Sequence, residues 1–171
     1  HLDEIFAQMQ KRVQAVDFAD QIAELAYAAL LSEARLSPKP GLVDSINNGS
    51  HKDMNLHTFE QSALALKPFF SHFVLEGMKT AEEPSLQILR QIRPLGLQAE
   101  QAMLQATEQV NTHKGAIFAF GLVCTAIGRL YQQHPVAINI DQICEMVAEF
   151  TQGLCAELQH FSKNQPLTAG G

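Results

Sequence analysis

AIFAFGLVCTAIGRL, residues 116–130, is the stretch on which the fold turns. On a helical wheel Ile117, Phe118, Phe120, Leu122, Val123, Ile127 and Leu130 leave almost no polar face. A helix apolar on nearly all sides belongs at the centre of a packed domain. Gly121 and Gly128, one heptad apart, leave room for a neighbouring helix to come close. The run is too short for a membrane span, and no other run in the chain approaches that length.

Working outward, helical periodicity recurs in nearly every apolar segment. His1 to Val16 is polar and reads as a short or frayed helix. Phe18, Ile22, Leu25, Ala29 and Ser32 follow a four-three-four-three spacing, an apolar stripe with Glu33 beside it. Phe59, Ala63, Leu66, Phe70 and Phe73 repeat that spacing and read as core, with His57 and His72 at the surface. Glu82-Glu83-Pro84 is a polar break. A short helix from Ser85 to Ile92 is expected to stop at Arg93-Pro94-Leu95-Gly96, since proline removes a backbone donor. In the helix from Leu97 to Val110, Ala99, Met103, Ala106 and Val110 make the apolar stripe. Glu100, Thr107 and Asn111 share a polar face beside it, within about 40 degrees at 3.6 residues per turn. Asn111 or Thr112, or both, would cap the central helix, and Asp141 the last one. The final stripe is Ile143, Val147, Phe150, Leu154, Leu158 and Phe161. These segments predict an all-α fold: one domain over residues 1–171, a bundle of five or six helices around the buried 116–130 helix.

Composition narrows the function. The chain has 171 residues, close to half of them apolar, enough for one sizeable core. A net charge of −6 argues against a broad nucleic-acid surface. Three cysteines form no metal pattern; reduced thiols in a cytoplasmic protein are the simplest reading.

Chemistry is concentrated in two non-helical stretches. Residues 38–54 hold Pro38, Lys39, Pro40, Gly41, Asp44, Gly49, Ser50, His51, Lys52 and Asp53 between two helical segments. The prolines push their predecessors into extended conformations, and Asn48-Gly49 is a turn signal. Long loops in compact domains concentrate function, although a solvated connection would carry charges too. The second stretch is Asn111-Thr112-His113-Lys114-Gly115, at the start of the central helix, where backbone donors suit an anion such as phosphate. His113 alone would read as a core histidine; inside this motif it reads as a ligand contact.

Pro-Lys-Pro-Gly-Leu-Val-Asp (38–44), Gly-Ser-His-Lys-Asp-Met (49–54) and Asn-Thr-His-Lys-Gly (111–115), taken together, resemble the triphosphoribosyl-dephospho-CoA synthase family of citrate lyase and malonate decarboxylase biosynthesis. Glu33, Glu100, Met103 and Thr107 agree in the flanks, and the resemblance runs from about Phe18 to Thr168. It implies an all-α transferase. ATP gives its triphosphoribosyl group to the 2′-hydroxyl of 3′-dephospho-CoA, and adenine leaves. The product is the precursor of an acyl-carrier-protein prosthetic group and passes to a second transferase. Members of the family continue with a Gly-x-Arg-Gly-Glu-Ala-like segment that this sequence lacks. The chain therefore reads as an N-terminal piece of a longer protein, expected to turn over more slowly than the whole.

Breaking a ribose–adenine bond passes through an oxocarbenium-like state that carboxylates can steady. Asp53, Glu100 and His51 are the catalytic candidates. Lys39, Gly41, Ser50, Lys52, Asn111, Thr112, His113 and Lys114 are the substrate-binding candidates, and Asp44 or Asp53 would hold Mg²⁺ among waters. Asp53, Glu100 and Lys114 are expected to meet in one cleft. The implied α-linkage calls for direct displacement at the ribose carbon, with Asp53 favoured as base. Two other classes fit the same residues: a metal-dependent helical phosphohydrolase using His51, Asp53 and His113, and a non-catalytic helical interaction module. Neither a nucleic-acid partner nor a membrane is expected.

Overall fold

A computed structural model describes residues 1–36, 55–134 and 138–164. Among these residues there are five α-helices and no β-strand: α1 (Leu2–Leu36), α2 (Leu56–Lys79), α3 (Ile88–Ala106), α4 (Lys114–Gln133) and α5 (Ile140–Asn164). A single 3-10 turn, Ser85–Gln87, leads into α3. The chain is all-α, as its periodicity predicts.

α1 runs unbroken through the expected frayed segment, because neither glycine nor proline occurs between Leu2 and Leu36. Its buried face is Ala19, Ala23, Ala26 and Leu30. The expected stripe was rotated from this face: Leu25 is 67% exposed, and Ala29 and Ser32 face water. Small side chains let two helix backbones approach, so α1 packs through its alanine ridge rather than its largest apolar residue. Ser71 donates to Asp20 Oδ1 at 2.8 Å, and Lys67 pairs with Glu24 and lies 5.1 Å from the Tyr27 ring centre. α1 and α2 are therefore antiparallel.

α2 begins where Asn55 Oδ1 accepts from the Thr58 amide at 2.8 Å. Ala63, Leu66, Phe70 and Phe73 are buried as the periodicity predicts, and Phe59 is half-buried. Pro68 sits inside α2, and Pro94 inside α3. The expected interruption at Arg93–Gly96 does not occur. Each proline frees the carbonyl four residues earlier. Leu64 and Arg90 hold those positions on exposed faces, where water can satisfy them.

α4 is the helix that touches the other four, and α2 is its principal partner. A Cβ at Gly77 would stand 2.1 Å from the Thr125 carbonyl oxygen, and one at Gly128 1.9 Å from that of Val74. The two glycines thus form a reciprocal crossing point where the backbones touch. Gly121 makes room for the Phe73 ring. The central run was expected to be too short for a membrane span, but α4 with its flanks is long and apolar enough to cross one; half of it is buried against the other helices. Burial is not complete, since Phe118 is 50% exposed on the one open side.

Arg129, buried in α4, fastens the polar break. It donates to the carbonyls of Thr80 and Glu83 and lies 5.7 Å from the Phe150 ring centre of α5. At the start of α5, Asn139 Oδ1 accepts from the Gln142 amide at 2.9 Å and Gln142 Oε1 accepts from that of Asn139 at 3.0 Å. This reciprocal cap replaces the one expected from Asp141, which instead lies in the first turn. Phe150 is fully buried, with Ile143 and Val147 half-buried beside it.

Candidate functional site

The chain between α3 and α4 is bent sharply. α3 stops at Ala106, so Thr107 and Asn111 do not extend the helical face of Glu100. Glu108 and Gln109 both take positive φ, 54° and 74°. Non-glycine residues reach this region only at a cost of roughly 1–2 kcal/mol each. Thr107 holds the bend, its hydroxyl lying 2.9 Å from the Met103 carbonyl and 2.7 Å from that of Val110. Local strain of this kind persists where surrounding contacts determine it.

Those contacts fix the Asn111–Lys114 motif. The Thr112 hydroxyl donates to Ser62 Oγ at 2.6 Å, and Ser62 Oγ lies 2.6 Å from His113 Nδ1. Ser62 thus links the Thr112 hydroxyl to the His113 ring. The His113 amide points at the Met103 sulfur, and its ring lies 5.2 Å from that of Phe59. Burial pushes the imidazole down to about 4, so it is neutral at physiological pH. His113 occupies the cap position of α4, and no side chain caps that helix. The expected caps, Asn111 and Thr112, are used otherwise: Asn111 is exposed, and Thr112 serves Ser62.

Beside this turn lies a cleft of about 370 Å³ between α2, α3 and α4. Phe73, Ile92, Ile117, Phe118 and Leu122 form apolar walls, while Arg93, Glu100 and Lys114 supply the charges. Lys114 Nζ stands 3.5 Å from Glu100 Oε1. Lys114 and Gly115, the first two residues of α4, line the same opening. Lys114 is 64% exposed, which leaves its ammonium free to take a second anionic partner.

Of the candidates read from sequence, Glu100 and Lys114 lie together on this cleft. His113 does not line it; the ring turns toward Ser62. Lys39, Gly41, Asp44, Ser50, His51, Lys52 and Asp53 lie outside the described residues. Within the described residues no three His, Cys, Asp or Glu side chains gather into a metal-binding group. Among the described residues Glu100 is the one carboxylate on the cleft, which suits a bound cation only alongside other ligands. Arg93 and Ser62 were missed. Arg93 is seven residues before Glu100, the same helical face, but a helix assumed to stop at Pro94 hides that relation. Ser62 carries no local signal, since its role depends on a partner 51 residues away.

The fold and cleft define an all-helical domain with an apolar-walled cleft whose mouth carries Arg93, Glu100 and Lys114. The family model CitG, ATP:dephospho-CoA triphosphoribosyl transferase, matches residues 19–169, and the chain belongs to this family. It is 61% identical over 174 residues to Protein CitXG of Haemophilus influenzae, covering 99% of this chain and 37% of that protein. It is 58% identical over 182 residues to the 2-(5''-triphosphoribosyl)-3'-dephosphocoenzyme-A synthase of Haemophilus ducreyi, covering 99% of this chain and 56% of that one. A probable synthase of the same name from Citrobacter koseri is 50% identical over 151 residues, covering 88% and 49%. The chain therefore spans about half the length, or less, of these curated relatives. No solved structure matches it.

Proposed function

We propose that this chain carries the nucleotide-handling part of a cytoplasmic transferase. It would move the triphosphoribosyl group of ATP to the 2′-hydroxyl of 3′-dephospho-CoA and release adenine. The observation that carries the reading is the Glu100–Lys114 pair at the mouth of an apolar cleft, in a chain of this family. Apolar walls suit a flat base or a thioalkyl arm, and the exposed cation beside free helix amides suits phosphate.

In this reading Lys114, with Lys39 and Lys52 from the 38–54 segment, holds the triphosphate, which is retained and so anchors rather than reacts. Glu100 steadies positive charge on the ribose as adenine leaves. Asp53 takes the proton of the attacking 2′-hydroxyl in a single inverting displacement, in which the carbon–nitrogen bond to adenine breaks as the new carbon–oxygen bond forms and adenine leaves with a proton on the released ring nitrogen. Asp44 or Asp53 would hold Mg²⁺, which neutralises phosphate charge when bound. The product would pass to a transferase acting on an acyl carrier protein.

The test is adenine release from ATP and dephospho-CoA with Mg²⁺, measured on the chain in its full natural length. Asp53→Asn is expected to lower turnover at least 100-fold while ATP binding changes little, the pattern of a group acting in the transition state. Normal turnover in that variant would remove Asp53 as the base. No adenine from the unaltered protein would refute the reading itself.

A further inference from the structure

The N-terminal half of α1 carries an apolar face that none of the described helices covers. Leu2, Phe6, Met9, Val13 and Val16 recur at four-three-four-three spacing, with Ile5 beside them. They are 80%, 62%, 60%, 60% and 37% exposed, and Ile5 is 54% exposed. This is the seam pattern of a coiled coil. Nothing in residues 1–14 is buried, whereas the same side of the helix farther along, at Ala23 and Leu30, packs on α2. α1 is 35 residues long against 24 for α2. At 1.5 Å per residue it overshoots its partner by roughly 15 Å. The overhang is already helical because its C-terminal half is anchored, so a short seam carries no nucleation cost.

We propose that residues 2–16 of α1 join two copies of this chain as an antiparallel homodimer. α2 dictates the direction. It runs antiparallel to α1 on the seam side and ends near the base of the overhang, where Arg12, Ala15 and Val16 share a cleft with Glu76 and Lys79. A parallel partner would drive its own bundle into that end of α2. An antiparallel partner continues the line of α2 and puts the two bundles at opposite ends. Leu2 then faces Val13 of the second copy, and Phe6 faces its Met9. Charge agrees with this register. Asp3 and Glu4 of one copy reach the level of Arg12 and Lys11 of the other, twice by symmetry. A parallel pair would stack acid on acid. A membrane surface suits the segment poorly, because its two acids balance its two bases and leave no cationic polar face.

Sedimentation equilibrium of the chain in its full natural length tests this. Twice the mass of that chain is expected at tens of micromolar. Phe6→Glu/Val13→Glu is expected to give a monomer with unchanged helical circular dichroism. Asp3→Lys/Glu4→Lys should weaken the dimer about tenfold at low salt, and adding Lys11→Glu/Arg12→Glu should restore it. A monomer at every concentration overturns the proposal, as does a dimer that survives Phe6→Glu/Val13→Glu. A dimer indifferent to the charge swap refutes the antiparallel register, and a monomer that binds anionic phospholipid vesicles through this face assigns it to a membrane instead.

Discussion

His113 is the residue whose environment departs furthest from its sequence reading. The motif around it suggested a ligand contact, yet the imidazole is buried, neutral and bonded to Ser62. Nothing local in sequence announces that, because Ser62 and Phe59 come from α2 and Met103 from α3. Its folded value of about 4 lies below the ordinary 6.5. The unfolded chain therefore takes up a proton first as pH falls. The stability tied to neutral His113 is complete above about pH 6.5 and drains away between there and pH 4. From pH 7 to pH 5 that loss amounts to about 2 kcal/mol. Urea unfolding at both pH values should show His113→Gln losing correspondingly less than the unaltered chain over that interval, whatever its stability at pH 7. Equal losses would mean that His113 is not the group responsible.

At the scale of elements, periodicity located every helix from Leu56 to Phe150, and glycine spacing anticipated a close crossing at α4. Boundaries and rotations were less legible. Pro94 did not end α3 because solvent can satisfy the Arg90 carbonyl, a fact of exposure rather than of sequence. The α1 stripe was misplaced because alanine contributes little to an apolar pattern yet permits the closest backbone approach. The apolar overhang at 2–16 passed as polar because its charges outnumber its core contacts. Glycine positions separate these effects by experiment. Gly77→Ala and Gly128→Ala each set a Cβ against a backbone carbonyl that cannot swing away. Overpacking of this kind costs about 3 kcal/mol or more. Gly96 sits in the interior of α3 with nothing within 4 Å of an added Cβ. Gly96→Ala should therefore stabilise by about 0.5–1 kcal/mol, the ordinary helix gain. Thermal unfolding that ranked the three substitutions alike would refute the crossing point.

For the whole molecule, a net charge of −6 poses a problem for any reading that involves a triphosphate. Most of the surface repels such a ligand, so binding depends on where the few cations stand. Arg93 and Lys114 line the α2–α3–α4 cleft together with Glu100 and the apolar walls. The motif on 111–115 and the polar face of α3 were legible in sequence as two candidates. The meeting of Glu100 and Lys114 in one cleft was expected too; the place of Arg93 beside them was not legible, since α3 was expected to stop at Pro94. If the cleft takes the nucleotide, ATP should stabilise the folded chain by mass action, about 2.7 kcal/mol at a hundredfold excess over Kd. Lys114→Met should remove most of that gain. By itself it should cost under about 1 kcal/mol, since its ion pair is exposed. Glu100→Gln should keep the ATP-induced rise in Tm, because Glu100 is assigned to the ribose cation rather than to binding, while adenine release falls. Scanning Tm against ATP concentration for the three chains checks all of this at once. A rise that survives Lys114→Met unchanged would move the triphosphate away from this cleft, and a rise lost with Glu100→Gln would make that carboxylate part of the binding site.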